Sequence, residues 1–134
     1  MLDELKRATF KKAERLKSKK LISEVFKRNQ TFRQDSVRLF WMNADIDSDY
    51  PVQICISIPK RNVKKAVHRN TIKRKIKEAY RKNKYILYDY LEGKGDKCAL
   101  MLIYLDNNVP TYESIERKIV LTLELLVVEH EKNT

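Results

Sequence analysis

The sequence predicts an α+β fold, a single-domain α/β sandwich in which a small sheet is packed against helices. Three observations predict it. The length of 134 residues and the 43% apolar content suit one compact core, which buries roughly two thirds of the surface an unfolded chain exposes. Segments that alternate with period two and segments that repeat with helical period follow one another in the order α-β-β-α-β-α. No internal repeat or linker interrupts them, so residues 1–134 are read as one domain, with 1–14 a basic lead-in of which residues 1–9 have little to bury.

The first helix lies near Lys19 to Arg28, where Leu21, Ile22, Val25 and Phe26 recur at helical spacing. Ser18 is available as its N-cap, and Asn29 can close it in the left-handed conformation. From Val37 the pattern alternates, with Val37, Leu39 and Trp41 on one face and Arg38, Phe40 and Met42 on the other, which is a strand. The acidic loop "NADIDSDYP" follows, and "VQICISI" then alternates with Val52, Ile54, Ile56 and Ile58 on one side until Pro59 ends it. Next comes a basic segment whose apolar Ile72, Ile76, Ala79 and Tyr80 form one stripe of an amphipathic helix. The turn "EGKGDK" at 92–97 leads into "CALMLIYL", a strand apolar on both faces. Thr111 can cap a last helix that turns Ile115, Ile119, Leu123, Leu126 and Val127 inward.

Charge is the strongest functional signal. Of the net +11, residues 60–82 carry eleven bases against one acid, Glu78, and residues 1–33 carry eleven bases against four acids, while the remainder is net acidic. Charge concentrated in this way predicts a surface for a polyanion. On a helical wheel Asn70, Lys73, Arg74, Lys77 and Arg81 gather opposite the apolar stripe, and Lys60, Arg61, Asn62, Lys64 and Lys65 sit at the helix start, where open backbone N–H groups add to phosphate binding. Arg69 belongs to the same segment. Aromatics beside the basic surface fit unpaired bases. By periodicity alone, Ile22, Phe26 and Phe40 read equally well as groove lining and as ordinary core.

Other classes fare worse. His68 and His130 have no carboxylate or cysteine cluster at ligand or triad spacing, and no GxxxxGK[ST] or GxGxxG loop occurs. No catalytic residue and no metal ligand is therefore assigned to the protein. Cys55 and Cys98 match no CxxC spacing and read as reduced, buried thiols. No apolar run approaches a membrane span or a secretory signal, so a cytoplasmic location is expected.

The stretch "KRNVKKAVHRNTIKRKIKEAYR" resembles the signature of the bacterial ribonuclease P protein component, RNR followed by Ile-Lys-Arg. Asn62-Val63, two bases, Ala66, Arg69-Asn70 and Ile72-Lys73-Arg74 fall at that spacing. "RLKSKKLISEVFKRN" is similar to the family's first helix, "TFKKAERLK" to its lead-in, and the likeness runs from about Phe10 to Val128. It implies the order α-β-β-(β)-α-β-α, with a left-handed βαβ crossover against the usual right-handed preference. It also implies a protein subunit of an endoribonuclease that releases the 5′ leader of precursor tRNA, with Mg2+ and the chemistry at the RNA subunit. Its partners would be ribonuclease P RNA and precursor tRNA, not DNA and not a membrane.

By the same resemblance the basic motif meets the RNA subunit, and Ile22, Phe26 and Phe40, with Arg15 and Lys17 nearby, line a cleft for the leader. Thr71 replaces the motif's second arginine, and Ile22 stands where phenylalanine is frequent. The runner-up is a general or ribosome-associated RNA-binding protein with no part in cleavage. A helix-turn-helix DNA binder is disfavoured because strand residues, not a short helix, precede the basic helix.

Overall fold

The computed structural model describes residues 9–133. Helix α1 is Lys19–Arg28, followed by β1 (Thr31–Gln34), β2 (Val37–Asn43) and β3 (Val52–Ser57). Then come α2 (Ala66–Asn83), α3 (Tyr85–Lys94), β4 (Cys98–Tyr104) and α4 (Tyr112–Lys132). The mixed α+β architecture is the one expected. Ser18 Oγ accepts from the Leu21 N–H at 3.2 Å, Asn29 closes α1 at φ 55°, and Thr111 Oγ1 accepts from the Ser114 N–H at 3.2 Å. Each cap satisfies a backbone group that a helix end leaves open.

The four strands lie in the order β1-β2-β4-β3. β2 is antiparallel to both β1 and β4, whereas β3 runs parallel to β4. A parallel pair needs a long connection, and here α2 and α3 supply it. Alternation sorts the strand residues onto two faces. Val37, Leu39, Trp41, Ile54, Ile56, Leu100, Leu102 and Tyr104 build the main core with the inner sides of α2, α3 and α4. On the opposite face Met42, Ala99 and Met101 form a smaller cluster with Val25 and Leu16, flanked by Leu21, Ile22 and Phe40.

The apolar stripe of α2 is fully committed, since Ile72, Ile76, Ala79 and Tyr80 are at most 1% exposed. Burying each large aliphatic contributes about 1.5–3 kcal/mol, against about 0.2–0.5 kcal/mol for each like-charge pair at helical spacing. Burial wins, and the helix is held to the sheet with its bases outward.

Two elements go beyond the periodicity of the sequence, the first of them the additional strand that the family resemblance implies before the basic helix. β1 is a four-residue edge strand of mostly polar residues, and α3 occupies residues that carry no clear helical period. The turn expected at 92–97 begins inside α3, which ends at Gly95 with φ 73°. The lead-in is also tied down from Thr9 onward, while residues 1–8 lie outside those described. Glu14 and Lys84 form a buried ion pair at 2.6 Å, both side chains fully inaccessible, and Tyr88 donates to the same carboxylate at 2.7 Å. Lys84 also donates to the Thr9 carbonyl, the Lys11 N–H donates to Glu14 at 2.6 Å, and Leu16 N–H donates to Ile54 O at 2.9 Å.

Candidate nucleic-acid interface

The loop before α2 and its first turns carry most of the basic motif. Lys60, Arg61, Lys64, Lys65, Asn70 and Arg74 are exposed. Lys65 occupies the N-cap without a side-chain cap bond, which leaves the helix start available to an anion. An open cleft of about 620 Å³ lies between this loop, His68 and residues 105–107. Not every motif residue is free to leave the protein. Asn62 Nδ2 donates to Tyr104 O at 3.3 Å, and Arg69 Nη1 donates to Val63 O and Lys64 O at 2.9 and 2.7 Å. These bonds clamp the loop onto the helix. Arg81 is paired with Glu78 at 2.5 Å, so its charge is already answered; the hydrogen bond from Arg81 is also the main reason the Glu78 carboxyl sits below the usual range.

Thr71 Oγ1 donates back to Val67 O at 3.0 Å, and Lys75 Nζ donates to Pro110 O at 2.7 Å. Both side chains are thus engaged by backbone carbonyls of the protein itself.

Lys73 and Lys77 turn the other way, toward the open face of the sheet. With Arg15, Lys17, Phe10, Leu16, Cys55 and residues of β3 they line a cleft of about 210 Å³. Arg15 sits over the Phe10 ring at 5.2 Å, and Phe10 meets Tyr80 edge-on at 5.7 Å, so the buried latch of Glu14 and Lys84 also sets where Arg15 stands. Among the described residues no carboxylate lies within ion-pair distance of Arg15, Lys17, Lys73 or Lys77. Burial first, then the nearby Lys73 and Arg15, push the Lys77 pKa down. Such an arrangement costs free energy until an anion arrives.

The aromatic part of the site adjoins this frame. Phe26 and Phe40 meet edge to face at 4.9 Å; Phe26 is 41% exposed, Phe40 half-buried, and Ile22 half-buried against the smaller cluster. Phe40, Met101 and Cys55 form one row across β2, β4 and β3. Phe40 and Cys55 are thus two strands apart, about 10 Å. The five residues read from the sequence as a leader cleft therefore border one sheet face in two groups, the cations at the β3 edge and the apolar side chains of α1 and of β2 beside it.

Burial pushes the Cys55 thiol up, which leaves it a poor nucleophile. Contrary to expectation it is only half-buried, whereas Cys98 is fully so, and both are free. His130, for which the sequence offers no carboxylate partner, is fully buried and lies 3.4 Å from Asp96, 2.9 Å from Asn43 and 2.8 Å from the Tyr90 hydroxyl. It fastens α4 to the sheet. Among the described residues no group of three or more His, Cys, Asp or Glu could hold a metal ion, and no helix is long and apolar enough to cross a membrane.

Glu14, Lys84 and Phe10 are given no role by the sequence. The one available signal is Glu14 itself, the lone acid between Phe10 and Lys20.

The family model described as Ribonuclease P matches residues 10–119. The Ribonuclease P protein component of Porphyromonas gingivalis is 29% identical over 112 residues, 82% of this chain and 82% of that protein. That of Chlorobium phaeobacteroides is 29% identical over 121 residues, 83% of each. Among solved structures, the RNase P protein of Staphylococcus aureus superposes with a TM-score of 0.69 at 20% identity, over 86% of this chain and 96% of that one, a likeness of fold.

Proposed function

This chain belongs to the ribonuclease P protein family, and we propose that it serves as the protein subunit of that endoribonuclease, with two surfaces for two RNAs. The loop at Lys60–Lys65 and the exposed flank of α2 attach the catalytic RNA through its phosphates. The open sheet face, framed by Arg15, Lys17, Lys73 and Lys77 and floored beside Phe26 and Phe40, takes the single-stranded 5′ leader of precursor tRNA. Cleavage itself belongs to the RNA subunit and its bound Mg2+; this chain attaches, orients and screens charge.

The observation that carries the reading is the set of four cations with no carboxylate partner among the described residues, beside a half-exposed aromatic pair. Stacking supplies affinity without sequence preference, and phosphate contacts fix the strand's path. The alternative of an RNA-binding protein outside cleavage is not favoured, because the family match spans both surfaces.

The test is reconstitution with a bacterial ribonuclease P RNA at low magnesium, comparing precursors with long and very short leaders. Adding the protein should enhance cleavage of the long-leader precursor far more. Equal enhancement of both, or none, defeats the leader assignment.

A further inference from the structure

The β1–β2 hairpin places Arg33 directly opposite Arg38. In β2, Arg38 is two residues from Phe40 and so shares its sheet face, about 7 Å along the strand. Like charges directly opposite on neighbouring strands are destabilising, and an ordinary surface would answer them with an acid. Here the hairpin's carboxylate, Asp35, is taken by Lys118 of α4 at 3.5 Å, and Lys118 also donates to Ser36 Oγ at 2.9 Å. Among the described residues Arg33 bonds only through Nε, to the Asp35 backbone carbonyl at 2.7 Å, and Arg38 only through Nη1, to Thr31 Oγ1 at 3.4 Å. Among the described residues no carboxylate lies within ion-pair distance of either. The turn is thus braced against α4 while two guanidinium forks, at the edge away from Lys73 and Lys77, are neutralised by none of the described carboxylates. Such forks match phosphate oxygens in a bidentate way.

We propose that Arg33 and Arg38 form a second phosphate-binding edge of the open sheet face, holding the backbone of a single-stranded polynucleotide as its bases leave the Phe26–Phe40 contact. That the strand is the precursor's leader rests on the function proposed above.

The test uses the Arg33→Gln/Arg38→Gln protein in reconstituted holoenzyme, with long-leader and very short-leader precursors, and the free protein with a single-stranded RNA oligomer. Affinity for the long-leader precursor and for the oligomer should fall about tenfold or more, as expected when charge-assisted bonds are removed. Salt dependence should flatten by about 0.7 for each phosphate that either arginine had neutralised. Affinity for the short-leader precursor and for the RNA subunit should not change, and the melting temperature should hold or rise as repulsion is relieved. Unchanged oligomer affinity, an equal loss on both precursors, weaker attachment of the RNA subunit, or a lowered melting temperature would each overturn the proposal. Failure of the leader reading looks different: the unaltered holoenzyme would itself ignore leader length, and the oligomer would still report on the arginine pair.

Discussion

At the residue scale, Phe26 and Lys84 mark two ways a side chain can serve this surface. Phe26 is 41% exposed yet touches Phe40 at 4.9 Å, so removing its ring sacrifices little core. Phe26→Ala should weaken holoenzyme affinity for a long-leader precursor by about 1–3 kcal/mol and leave the urea midpoint nearly unchanged. Paired binding and unfolding measurements separate stacking from packing, and a stability loss without an affinity loss would make Phe26 core. Lys84 acts from inside. Its ammonium is fully buried against Glu14, with Tyr50, Tyr85 and Tyr88 rings 5.2–5.8 Å away. Removing one partner of such a pair leaves a buried charge unanswered, so Lys84→Ala should cost about 3–5 kcal/mol in urea unfolding. The double change Glu14→Leu/Lys84→Met removes both charges and should recover most of that.

At the element scale, α2 has unlike flanks. Lys73 and Lys77 line the sheet-face cleft, Arg74 is exposed, and Arg69 and Arg81 are engaged by the protein itself. Replacing Lys73, Arg74 and Lys77 together by Ala should therefore flatten the salt dependence of RNA binding, by about 0.7–0.9 for each phosphate no longer neutralised. An unchanged slope in a titration from low to moderate salt would show that these bases meet solvent only. The Glu78→Gln/Arg81→Gln protein should bind RNA almost as the unaltered protein does, because the pair it removes carries no net charge. The ridge as a whole was legible in the sequence, since a charge count and a helical wheel find it. Its division into clamps and open contacts was not, because that depends on carbonyls of residues 63, 64 and 110 and on a carboxylate one turn away. The elements divide in the same way. α1, β2, β3, β4 and α4 each follow a period that one face or two must bury. β1 exists because β2 offers it a partner, and four residues are too few to show alternation. α3 distributes Ile86, Leu87, Tyr88, Tyr90 and Leu91 around its axis and is separated from α2 by Lys84 alone, so neither a stripe nor a turn residue announces it.

At the scale of the molecule, the buried titratable groups make alkaline stability a readout of the whole core. Lys77 and Lys84 have pKa values lowered chiefly by burial. Below the usual lysine range the unfolded chain therefore holds more protons than the folded one, and stability rises with pH through that interval. The tyrosines act in the opposite sense. Burial pushes Tyr90, Tyr104 and Tyr112 up to about 12, and raises Tyr80 and Tyr88 as well. Cys98 is pushed up to about 12 for the same reason. An unfolded tyrosine loses its proton near pH 10, so from there to about 12 the unfolded chain holds fewer protons and stability falls as pH rises. The urea midpoint should accordingly pass through a maximum where the thiols and tyrosines overtake the lysines and decline above about pH 10, with the tyrosinate absorbance of Tyr80, Tyr88, Tyr90, Tyr104 and Tyr112 appearing together with the loss of helical signal and not before it. Lys84→Met should flatten the rising limb and leave the falling one in place. Normal titration of these tyrosines near pH 10 in the still-folded protein would mean that α3 and the end of α4 are not packed onto the sheet. The latch that sets Arg15 in the cleft would then lack its support.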